Sequence, residues 1–142
     1  NMTLLHYPAQ DGDGFGIHPP KDTDALTILA DDQVAGLMVR CRDDEAWINV
    51  DPPANALVVN IGDMLERLTN GRLRSTTHRV VNPSGEATRR TRYSMPFFLH
   101  FRPDFEIAPL ESCIAKGEEG TAPEPILAHD FLMQRLREIK LA

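Results

Sequence analysis

Three groups of residues in this sequence have the types and spacing needed for chemistry. In Gly16-Ile17-His18-Pro19-Pro20-Lys21-Asp22-Thr23-Asp24, an imidazole and two carboxylates precede the apolar run 25–29. Such donors suit a divalent metal, while a polar turn capped by Pro19 and Pro20 would use the same residues. In Ser75-Thr76-Thr77-His78-Arg79-Val80-Val81, alternation puts His78 on the face of Val80 and so toward the interior, as a ligand or as a satisfied core histidine. Arg92 and Ser94 share a strand face two residues apart. A guanidinium buried there needs an anion, and the hydroxyl beside it would share the same carboxylate. The alternative is a surface arginine, since Arg89, Arg90 and Arg92 crowd together.

Short strands must position these groups. Alternating or apolar runs predict strands over 3–7, 25–29, 36–40, 46–50, 56–61, 75–81, 92–101 and 105–107, with Gly, Pro and Asp turns between them. Arg92, Ser94, Pro96 and Phe98 share the parity expected to face inward. One or two helical turns are predicted over 64–69. A terminal helix is predicted over 128–141, where Phe131, Leu132, Leu136 and Ile139 recur at helical spacing, and 117–125 reads as a connector. Eight strands without βαβ alternation predict an all-β core, a jelly roll whose open end can hold a ligand, followed by a C-terminal helix. The expected division is a core over 1–110 and an extension with the terminal helix over 111–142.

The chain has 142 residues, 42% hydrophobic and 25% charged, enough for one packed core. A net charge of −6 argues against nucleic acid or an anionic membrane as partner. No apolar run approaches a membrane span in length. Cys41 and Cys113 form no CxxC pair, so reduced thiols in the cytoplasm are expected. The sequence opens inside a strand-like run, from which an N-terminal region preceding this chain in a longer polypeptide is expected.

Taken in order, the motifs are Tyr7-Pro8, an aspartate before the Leu26-Thr27-Ile28-Leu29 strand, Asn60-Ile61-Gly62-Asp63-Met64-Leu65, Thr77-His78-Arg79-Val80, Arg92-Tyr93-Ser94 and Pro109-Leu110-Glu111-Ser112-Cys113. In these the sequence resembles the isopenicillin N synthase-like family of Fe(II)/2-oxoglutarate-dependent oxygenases. The resemblance spans nearly the whole chain and is nearest to bacterial and fungal members. It implies a double-stranded β-helix, which is the jelly roll already read from the strands. It also implies iron held by two histidines and one carboxylate. On that pattern Asp22 matches the carboxylate ligand and His78 the distal imidazole. Arg92 and Ser94 match the pair that binds the distal carboxylate of 2-oxoglutarate, and Tyr7 matches a tyrosine that helps hold it. Where the family usually carries asparagine, two residues before that tyrosine, this chain has Leu5. The implied activity is oxidation, of hydroxylation type, of a small organic substrate by molecular oxygen, with 2-oxoglutarate decarboxylated to succinate.

The match breaks at one ligand. The family's HxD pair would fall on residues 20 and 22, and residue 20 is proline. Three arrangements are open: His18 completes the set through a rearranged turn, the metal site is weakened or lost, or Asp22 and Asp24 act with His78. Residues 18 and 20 point to the same side of an extended segment, yet lie roughly 6–7 Å apart along it. If the site is lost, the chain is a non-catalytic jelly-roll fragment or binding module.

Overall fold

The computed structural model describes residues 1–9, 22–31, 36–81, 89, 91–116 and 122–138. His18, Pro20 and Lys21 lie outside the described residues. Nine strands and two α-helices occur among them: β1 (Leu5–Tyr7), β2 (Leu26–Asp31), β3 (Leu37–Arg40), β4 (Trp47–Asn49), β5 (Val58–Ile61), α1 (Asp63–Leu68), β6 (His78–Val80), β7 (Arg92–Leu99), β8 (Glu106–Ile107), β9 (Ile126–Leu127) and α2 (Ala128–Glu138). The sheets run β1-β7-β2-β5, β4-β3-β6 and β8-β9. The chain forms two compact units, one of residues 1–21, 28–60 and 76–97, the other of residues 22–27, 61–75 and 98–142.

In the first unit, β1 pairs antiparallel with β7, setting Tyr7 opposite Arg92 and Leu5 opposite Ser94. Strand β3 lies between β4 and β6, with Val39 opposite both Ile48 and His78. The β3–β4 turn closes on a Cys41 N–H donating to the Ala46 carbonyl at 2.7 Å. The Ala46 N–H donates to the Asp44 carboxylate at 3.0 Å, the side-chain turn that aspartate favours. Along β7 burial alternates as expected: Arg92, Ser94, Pro96 and Phe98 face in, Tyr93, Met95, Phe97 and Leu99 face out. The apolar run at 56–61 is not wholly interior, because in β5 the same alternation turns Val59 outward.

The buried described residues of this unit are Gly36, His78, Arg92 and Pro96. Two of the four carry polar chemistry. Burying them costs free energy unless partners compensate, so the interior of this unit is organised around polar groups.

The second unit contains the apolar core. Met64, Ile107, Ala128 and Phe131 are buried, with Leu68, Phe101, Ile126 and Leu132 packed against them. Covering an Ile or Phe side chain contributes about 1.5–3 kcal/mol. The two-residue strand β9 pairs with β8 and leads directly into α2. The sequence reading assigned residues 126–127 to no element, between the connector at 117–125 and the terminal helix from 128. Helix α2 buries Phe131 as its spacing predicts; Ile139 lies outside the described residues. Arg67 and Arg135 stand over the Phe131 ring at 5.6 and 5.2 Å, and Arg135 Nε is 3.4 Å from the buried Asp63 carboxylate. Burial, and then repulsion from Arg135, lowers the pKa of Arg67.

Candidate functional site

The expectation of a buried arginine holds, and the surface alternative does not. Arg92 is only 7% exposed. Its guanidinium carbon lies 4.3 Å from the centre of the Tyr7 ring, the residue facing it across the β1–β7 pair. A cation over an aromatic face is attracted by the ring quadrupole, so Tyr7 fixes the plane in which the guanidinium can present its donors. Arg92, Ser94, Tyr7, Tyr93, Leu29, Leu37 and Val80 line one concave pocket. One full positive charge, the Tyr7 phenol and a hydroxyl thus stand among three aliphatic side chains, while the Tyr93 ring turns outward and stacks on His6. That donor set fits one end of a dicarboxylate: a planar fork for two oxygens, a hydroxyl for one of them, and dry walls that strengthen the interaction.

His78 is also 7% exposed, on the first strand position of β6. Its Nδ1 lies 3.1 Å from the Thr76 carbonyl oxygen, which can only accept, so Nδ1 carries the proton. In its neutral form a ring so bonded keeps its lone pair on Nε2, the tautomer that metal-binding histidines use. Alternation sets His78 on the same face of β6 as Val80, which lines the Arg92 pocket. The two are separated along the strand by roughly 6–7 Å. A molecule held at one end by Arg92 can therefore extend along this face toward the His78 imidazole.

Asp22 belongs to the second unit. Its carbonyl accepts the Asp63 N–H at 2.8 Å, fixing its backbone to the start of α1. Its carboxylate is an oxygen donor of the kind Fe(II) accepts alongside imidazole. Asp24 has a different position. It is 1% exposed, accepts the Thr27 hydroxyl at 3.0 Å, and through its carbonyl accepts the Met64 N–H. Asp24 ties β2 to α1, which answers why an aspartate stands at the mouth of an apolar strand. Among the described residues, no three His, Cys, Asp or Glu side chains gather into a metal-holding group. His18, the remaining donor named from sequence, lies outside the described residues.

One residue of the site was not singled out from sequence. Gly36 lies beside the Arg92 head, and a Cβ there would come 2.2 Å from Nη1. The only local signal was a glycine at the start of an apolar strand, which marks a close backbone approach without saying to what.

The family model described as the 2OG-Fe(II) oxygenase superfamily matches residues 1–101. A 2-oxoglutarate-Fe(II) type oxidoreductase of Emericella nidulans is 39% identical over 138 residues, covering 92% of this chain and 38% of that protein. A 2OG-Fe(II) oxygenase family protein of Caulobacter crescentus superposes with TM-score 0.86 at 48% identity, over 97% of this chain and 45% of its own. A full-length Neurospora crassa protein solved in complex with alpha-KG gives TM-score 0.85 at 31% identity, over 97% of this chain and 44% of its own. The chain thus spans less than half the length of each of these relatives. With them it shares the jelly-roll core and C-terminal helix expected from its strands. Matched over most of its length by that family model, the chain belongs to the 2OG-Fe(II) oxygenase superfamily.

Proposed function

We propose that this chain is the iron- and cosubstrate-binding part of an Fe(II)/2-oxoglutarate-dependent oxygenase of the isopenicillin N synthase-like type. It would hydroxylate a small organic substrate. When bound, Fe(II) and 2-oxoglutarate supply an oxidation in which one atom of molecular oxygen enters the substrate and the other enters succinate as carbon dioxide leaves. The observation that carries this reading is the buried Arg92 head over Tyr7, in a pocket that also contains Ser94 and shares a strand face with His78.

In this reading Arg92 binds the distal carboxylate of 2-oxoglutarate through two parallel N–H donors, Ser94 adds a hydroxyl, and Tyr7 holds the guanidinium plane. Leu29, Leu37 and Val80 exclude water from the ion pair. His78 offers Nε2 to the metal because Thr76 holds the Nδ1 proton. Asp22 supplies the carboxylate, and His18 the second imidazole in place of the donor missing at Pro20. The free thiols of Cys41 and Cys113 fit a reducing, cytoplasmic setting.

Calorimetric titration with 2-oxoglutarate tests this. Each hydrogen bond to a charged group contributes about 1.5–3 kcal/mol, so Arg92→Ala should weaken binding at least roughly 100-fold. Unchanged affinity would remove Arg92 from the site. Pro20 favours a second reading, a cosubstrate-binding module without turnover. That reading expects 2-oxoglutarate to bind with no succinate formed under oxygen.

A further inference from the structure

We infer that Gly36 is a positioning residue for 2-oxoglutarate, acting through Arg92; the inference rests on the role proposed above for that arginine. Gly36 is buried at the start of β3, with φ +153°, and its carbonyl accepts the Val81 N–H at 2.8 Å. A Cβ at this position would stand 2.2 Å from Arg92 Nη1, 3.4 Å from its Cζ and 2.7 Å from the Val81 carbonyl oxygen. Real side chains do not tolerate the first and last of these distances. The missing side chain is therefore the space in which half of the guanidinium sits.

The guanidinium has two boundaries that its own strand does not provide. Tyr7 limits it on one side, 4.3 Å from ring centre to Cζ, and the bare Gly36 backbone lies beside Nη1. A methyl group at residue 36 must displace something. The arginine head is the far end of a flexible chain and moves at little cost. The Val81 carbonyl belongs to the backbone that Gly36 itself bonds, and yields less easily. The expected outcome is a displaced fork: the charge stays in the pocket, but its two donors no longer align with a carboxylate. Alignment is what a bidentate pair requires, so affinity for the cosubstrate falls although neither binding side chain has changed.

The test is the dissociation constant of 2-oxoglutarate for the metal-loaded protein, measured without oxygen, for Gly36→Ala, Arg92→Lys, the double variant, Gly71→Ala and Arg92→Ala. Gly36→Ala should weaken binding roughly tenfold or more, the factor expected on losing one charge-assisted hydrogen bond. Lysine carries no Nη1 to collide with the methyl, so the double variant should bind within about twofold of Arg92→Lys alone. Gly71 also has positive φ, at +75°, but a Cβ there meets nothing within 4 Å, so Gly71→Ala should bind like the parent. Parent-like binding by Gly36→Ala, the same penalty in both arginine and lysine backgrounds, or an equal loss in Gly71→Ala would each overturn the inference. Should Gly36→Ala fail to fold, a folded double variant supports the collision, and failure of both assigns Gly36 to the backbone alone and overturns it. Arg92→Ala separates the two levels. Undiminished binding there sinks the arginine assignment itself, whereas loss there with intact Gly36→Ala sinks only the role of Gly36.

Discussion

Arg92 brings a full charge into a pocket with aliphatic walls, and Tyr7 is the neighbour that shapes how the charge is presented. Tyr7 can act through its hydroxyl or through its ring, and the stacked geometry favours the ring. A cation over an aromatic face contributes about 0.5–2 kcal/mol depending on desolvation. Tyr7→Phe should therefore keep the 2-oxoglutarate dissociation constant within about threefold, while Tyr7→Leu should weaken it roughly five- to thirtyfold. The reverse order, with phenylalanine as damaging as leucine, would assign the work to the hydroxyl. At this scale much of the site could be read from the chain. Arg92, Ser94 and His78 stood out because parity along a strand fixes which face a side chain takes. Tyr7 was placed by resemblance alone, since its partner lies on another strand. Gly36 could not be read, because a glycine shows its role only when the atom beside it is known.

Among the elements, the junction of β2 with α1 is built around Asp24, which sequence reading left between ligand and turn. Its carboxylate accepts the Thr27 hydroxyl and its backbone bonds the start of α1, where Gly62 forms the N-cap. A Cβ on Gly62 would meet the Asp24 carbonyl oxygen at 2.1 Å and its Oδ1 at 2.3 Å. Backbone and fully buried side chain give way together only at large cost. Gly62→Ala is expected to destabilise the protein by about 2–4 kcal/mol in denaturant unfolding, the range of severe overpacking. A loss under 0.5 kcal/mol would show that the junction is softer than its contacts. The strands were legible for a simple reason: alternation in β7 runs through eight residues, so one face cannot be confused with the other. Strand β9 was missed because two residues carry no period, and Ile126 and Leu127 acquire strand geometry only by pairing with β8.

At the scale of the whole molecule, the two units differ in what fills them. The second has the aliphatic and aromatic core expected of a globular protein, whereas the first encloses His78 and Arg92. Such polar interiors are costly to stability, and a metal and dicarboxylate that bind only the folded state would offset part of that cost. The jelly roll was legible from strand spacing and composition. The chain spans less than half the length of these relatives.

The central claim, that Fe(II) and 2-oxoglutarate assemble on these residues, is tested most directly by anaerobic titration with Fe(II) followed by 2-oxoglutarate. The readout is the weak visible charge-transfer band of the chelate, with His78→Ala and His18→Ala measured beside the parent. The parent should develop the band, and both variants should lose it. A folded parent that shows no band, or a band that survives in His78→Ala, would contradict the account.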